Sequence, residues 1–165
     1  MADKTTFTKD EWTLLLESPL VAGVAVSAAD PNGLWGLLKE SFASGSALVH
    51  AKTDAGINPL IKAVAADFIS GDGKSAVREG VREKFGGGQA AGVKTKSIDS
   101  LRQVSALLAA KAPGDAAAFK DWLRQISQRT AEAATEGGGL LGIGGIQVSD
   151  AEKATLAEIS TALGG

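Results

Sequence analysis

The sequence has no cysteine and no tyrosine, a single histidine, and few aromatic side chains of any kind. The missing cysteines exclude disulfides, thiolate nucleophiles, zinc fingers and iron–sulfur clusters together, and they fit a reducing compartment. One histidine, His50, cannot supply the paired Glu-x-x-His motifs of a di-iron bundle. As a catalytic base it would have only Ser or Thr hydroxyls to activate, and nothing near it has the form of a nucleophile elbow. With so little aromatic bulk, the interior must be built from Leu, Val, Ile and Ala, with three Trp and five Phe as larger fillers.

Long apolar runs and basic clusters are missing too. The most apolar stretch, Leu14 to Ala29, is interrupted by Glu17 and Pro19 and falls short of the ~20 residues that span a bilayer. The first six residues lack the basic-then-apolar order of a signal peptide. The net charge is −2, with Lys and Arg scattered among the acids, so there is neither the basic stripe of a nucleic-acid binder nor a polybasic segment for anionic lipid. These absences point to a soluble cytoplasmic chain with no nucleic-acid partner and no membrane span. The 165 residues, 44% of them hydrophobic, suffice for one core, and a single domain over 1–165 is expected.

What the sequence does have is helix punctuation. Thr8-Lys9-Asp10-Glu11 is a capping box, with Phe7 and Trp12 placed as its hydrophobic staple, so a helix is expected over Lys9–Glu17. Ser18-Pro19, Asp30-Pro31 and Asn58-Pro59 each set a capping side chain before a proline. Proline is well placed at a first helical position, where its missing N–H would lack a partner anyway. Helices are therefore expected from Pro19 to Ala29, apolar nearly all round and central, from Pro31 to Ser44, and from Pro59 to Ser70. A short helix is expected over Ser46–Thr53. Gly71-Asp72-Gly73 is expected to be a turn before an exposed helix, Lys74–Phe85. Ser97 is expected to cap a helix ending near Lys111, and Asp115 to begin the longest, ending near Glu136. Ser149-Asp150-Ala151-Glu152 is a second capping box, before a last helix to Leu163. Gly-rich segments near 86–96 and 137–147 are expected to be flexible. The fold class is all-α, a compact bundle of about eight short-to-medium helices.

Candidate chemistry is sparse. Gly71-Asp72-Gly73-Lys74-Ser75 ends like a phosphate-binding loop, but Phe68 stands where its first Gly belongs and a helix precedes it where a strand is needed. Gly137, Gly139 and Gly142 have the spacing of a dinucleotide fingerprint without the surrounding βαβ unit. Among the carboxylates, Asp30, Glu40, Asp67, Asp72, Asp150 and Glu152 are candidates to converge on a divalent ion. Asp30, Asp150 and Glu152 already have capping work, and no EF-hand loop is present. Asp30, Asp67 and Asp72 are the metal set carried forward, with a divalent metal the one cofactor considered. Trp12, Trp35 and Trp122 stand among apolar residues and read as core. In the second Gly-rich segment, Leu140, Leu141, Ile143 and Ile146 either tuck back onto the core or form a docking surface.

Two segments look alike. One is Val24 to Gly33, with Asp30 at its helix end and Glu40 further on. The other is Gly144 to Glu152, leading to Leu156-Ala157-Glu158-Ile159. Together they resemble the tellurite-resistance TerB-like family of bacterial helical proteins, whose members carry an Ala-Asp-Gly helix end followed by an acidic helix start near each end. In this chain Pro31 and Asn32 separate Asp30 from Gly33. The resemblance implies a helical bacterial stress-response protein that binds divalent ions or acts as an interaction module. The expected function is thus a non-enzymatic helical module working through a protein partner or self-association. A divalent-metal-binding or carboxylate-dependent protein, or a carrier of an apolar ligand, is the alternative.

Overall fold

At Thr8 the spacing does what it predicts. In a computed structural model, which describes residues 2–29, 48, 51, 56–86, 90–137 and 148–164, Thr8 Oγ1 accepts from the Glu11 N–H at 3.3 Å. The Glu11 carboxylate accepts from the Thr8 N–H at 2.7 Å. The rings of Phe7 and Trp12 lie 6.0 Å apart, closing the staple. A short 3-10 turn, Lys4–Thr6, capped by Asp3, leads into this start.

The helix that follows does not stop at Ser18. Helix α1 runs Lys9–Ser27 with Pro19 inside it, so the two helices expected on either side of Pro19 are one. A proline within a helix leaves the carbonyl four residues back without a donor. That carbonyl is Leu15's, and the buried Ser18 hydroxyl donates to it at 2.7 Å. Ser18 thus repairs the helix at Pro19 where it was expected to begin a new one. The region from Leu15 to Ser27 is buried except for Leu20, and α1 touches each of the other five α-helices. The central position expected for the stretch after Pro19 therefore holds for most of α1.

Helix α2, Pro59–Ile69, begins as expected: Asn58 Oδ1 accepts from the Leu60 and Ile61 N–H groups at 2.9 and 3.4 Å. Helix α3, Gly71–Phe85, starts three residues earlier than expected. Ser70, not a glycine turn, sets its start: Ser70 Oγ accepts from the Gly73 N–H at 3.0 Å, so Gly71, Asp72 and Gly73 form the first helical turn. Helix α4 runs Ala90–Lys111, so Ser97 is not its cap and much of the segment expected to be flexible is helical. Ser97 is buried mid-helix and donates back to the Val93 carbonyl at 2.8 Å. Helix α5, Pro113–Gly137, puts Pro113 at its first position, with Ala112 alone separating it from α4. Helix α6, Asp150–Ala162, opens with the expected capping box at Ser149.

Six α-helices make up most of the described residues, and there is no strand among them. The fold class holds, while the count of about eight falls by the merger at Pro19. Leu48 and Ala51, within the short helix expected over 46–53, are helical and buried. The helix expected from Pro31 to Ser44 lies outside the described residues. One apolar cluster, drawn from every helix and dominated by Leu, Val, Ile and Ala, forms the core. Phe119 and Trp122 meet edge-to-face within it, 5.3 Å between centroids. No helix among the described residues is long and apolar enough to cross a membrane.

Candidate functional site

Asp67, on α2, is the more heavily engaged of the two described candidate metal ligands, Asp67 and Asp72. Its Oδ2 accepts from Lys4 Nζ at 2.8 Å and from Trp12 Nε1 at 2.6 Å, and its Oδ1 from Ser70 Oγ at 3.2 Å. Lys4 Nζ also lies 5.9 Å from the centroid of the Trp12 ring. Burial pushes the Asp67 pKa up, but the hydrogen bonds from Lys4 and Trp12, with the charge of Lys4, outweigh it and hold the carboxyl below the ordinary aspartate range. Asp67 is thus the point where the N-terminal turn, α1 and α2 are tied together.

Asp72 is exposed in the first turn of α3, where an acid faces the positive end of the helix dipole. Asp30 lies outside the described residues, as do Glu40, His50, Trp35, Leu140, Leu141, Ile143 and Ile146. Among the described residues no three His, Cys, Asp or Glu side chains are grouped to hold a metal ion. Glu152 does the capping work expected of it: it is buried and accepts from the Ser149 N–H and hydroxyl, both at 2.8 Å, while Asp150 is exposed in the first turn of α6. Trp12 and Trp122 are buried, as core positions should be.

The loop that ends like a phosphate cradle has another purpose. A Cβ on Gly73 would overlap the backbone carbonyl of Asp67, so this glycine lets α2 and α3 meet at their corner. Lys74 sits within α3 rather than at its mouth. Gly137 ends α5, while Gly139 and Gly142 lie outside the described residues.

Two carboxylates that the spacing did not single out prove central. Asp115, expected to begin the longest helix, lies in the first turn of α5 and is buried; it accepts from the Ala2 N–H at 2.9 Å and from Asn58 Nδ2 at 2.8 Å. Those bonds, that from Ala2 first, hold its pKa below the ordinary value. It joins the N-terminal segment and the cap of α2 to α5.

Glu17, on α1, is only 3% exposed. Its Oε2 accepts from Lys84 Nζ of α3 at 2.6 Å, and Lys84 donates also to Ser100 Oγ of α4 at 3.1 Å. Lys96 Nζ in turn donates to the Lys84 carbonyl at 3.0 Å. A Cβ on Gly80 would overlap Glu17 Oε1, so α3 approaches the acid through a glycine. The Lys84–Ser100 contact has the separation of a Ser/Lys nucleophile pair with the wrong direction of donation. An ammonium giving its protons to Glu17 and Ser100 has no lone pair with which to activate the hydroxyl. Only Glu17, as a charge within an apolar stretch, marks this cluster in the sequence; its partners come from two other helices.

No protein-family model, curated protein or solved structure matches the chain.

Proposed function

We propose that the chain is a non-enzymatic bacterial helical module that acts in the cytoplasm through contact with protein, its own copies first, and not with nucleic acid. The observation that supports this is how its acids are spent. Asp67, Asp115, Glu17 and Glu152 are each engaged by a partner within the chain: a lysine, an indole, an amide, a backbone N–H or a hydroxyl. Asp67, Asp115 and Glu17 fasten elements to one another, Glu152 caps its own helix, and carboxylates so occupied are poorly placed to relay protons or to bind a cation.

A stress-response setting is the reading that the likeness to TerB-like proteins suggests. The docking segment assigned on sequence is Leu140 to Ile146, whose Leu and Ile side chains stand between glycines. Light scattering on a size-exclusion column over a wide concentration range tests the proposal. Association is expected to grow with concentration and to be lost in a Leu141→Asp, Ile143→Asp variant. A chain that stays monomeric at high concentration, and retrieves no partner as bait in a native lysate, would overturn the reading.

A further inference from the structure

Helix α3 is put together unlike its neighbours. Seven of its fifteen residues are charged, and like charges recur four residues apart at Lys74/Arg78, Arg78/Arg82 and Glu79/Glu83. That spacing disfavours an isolated helix. Gly73 and Gly80 lie inside it and lower its helix propensity further. Along its length only Gly73, Val77 and Phe85 are buried. Its polar anchor to the rest of the molecule is Lys84, which reaches across to the buried Glu17 and to Ser100.

The character of that anchor matters. Pulling apart an apolar contact exposes hydrocarbon to water, which is unfavourable throughout. Pulling this ion pair apart returns the buried Glu17 and the partly buried Lys84 to water, and the hydration regained offsets much of the lost attraction. Helix α3 therefore has a small apolar face, low intrinsic helicity and a charge pair that water compensates. Low local apolar burial is the mark of a segment that opens before the whole. The chain is non-helical at both ends of the segment, extended at Ser70 and again non-helical at Gly86, so hinge points are present.

We propose that α3 is a hinged cover: residues 71–85 detach and melt as a unit while α1, α4 and α5 stay packed, and the pair of Lys84 with the buried Glu17 sets how often this happens. Opening turns Glu17 from a closed-off acid into an accessible one on the flank of the central helix, next to Ser100. This opening does not depend on self-association.

Hydrogen–deuterium exchange on the full chain, read by mass spectrometry at neutral pH, tests it. Amides of 71–85 are expected to exchange about a hundredfold faster than those inside α4. In the double variant Glu17→Met, Lys84→Met, an apolar pair of similar length replaces the ions, and exchange over 71–85 is expected to slow about tenfold while α4 is unchanged. Lys84→Met alone, which leaves the buried Glu17 without its lysine, is expected to do the opposite. If 71–85 exchanges no faster than α4 in the parent chain, there is no cover. If it is fast but the double variant is no slower, the ion pair does not govern it. Should the double variant fail to fold, Lys84→Met decides: unchanged exchange over 71–85 overturns the proposal.

Discussion

A single hydroxyl carries α1 past Pro19. Ser18 Oγ, at 2.7 Å from the Leu15 carbonyl, stands in for the N–H that proline lacks. Ser18→Ala is expected to cost about 1–2 kcal/mol by leaving that buried carbonyl unpaired. In a Pro19→Ala background residue 19 regains its N–H, and the same change is expected to cost less than about 0.5 kcal/mol. Urea unfolding of the four proteins measures the coupling; equal costs in both backgrounds would show that Ser18 is not serving Leu15. Lys84→Met tests the other single-residue dependence. It strands Glu17, which is 3% exposed, and is expected to cost about 3 kcal/mol, the lower end for a broken buried pair because Lys84 keeps some contact with water. Neither dependence is readable from composition. Ser before Pro has the form of a helix start, and only the all-round burial of α1 turns it into a repair.

At the scale of elements, three boundaries set by side-chain caps were legible, one was hidden by glycines, and those set by neighbours were not. Thr8, Asn58 and Ser149 cap as their spacing says, because an N-cap bond spans three residues and needs nothing distant. Gly71 and Gly73 read as a turn, yet both are helical, since Ser70 supplies a cap and α2 packs against the turn so formed. The two glycines are not equivalent. A Cβ at Gly71 meets nothing within 4 Å, whereas one at Gly73 overlaps the Asp67 backbone carbonyl. Gly71→Ala is expected to be neutral or to stabilise by up to about 0.5 kcal/mol, and Gly73→Ala to destabilise by about 2 kcal/mol or more. Thermal unfolding of both variants compares them, and similar midpoints would mean that the α2–α3 corner does not need its glycine. Ser97 misleads in the same way. In sequence it resembles a cap; in the fold it is buried in the middle of α4, with its hydroxyl returned to the Val93 carbonyl.

For the molecule as a whole, the N-terminal segment is fastened by carboxylates. Asp67 holds Lys4 and Trp12, and Asp115 holds Ala2. Both pKa values are lowered in the fold, so each acid contributes stability that is complete above its ordinary titration range and is lost as pH falls through the lowered value. Glu11, held down mainly by its bond from Lys111, acts in the same direction. Urea midpoints are expected to fall as pH drops below about 4, with Trp12 emission shifting as its indole loses Asp67, and Asp67→Asn is expected to flatten that dependence. An unchanged slope in Asp67→Asn would place the acid sensitivity elsewhere. The all-helical class, three of the helix starts and the Leu/Val/Ile/Ala interior could be read from the chain itself, because capping and apolar periodicity are local and need only a few neighbouring residues. The joining of two helices through Pro19, the burial of Ser97 within α4, and the meeting of Glu17 with Lys84 and Ser100 were decided by packing, because each depends on burial or on partners that lie far away along the chain.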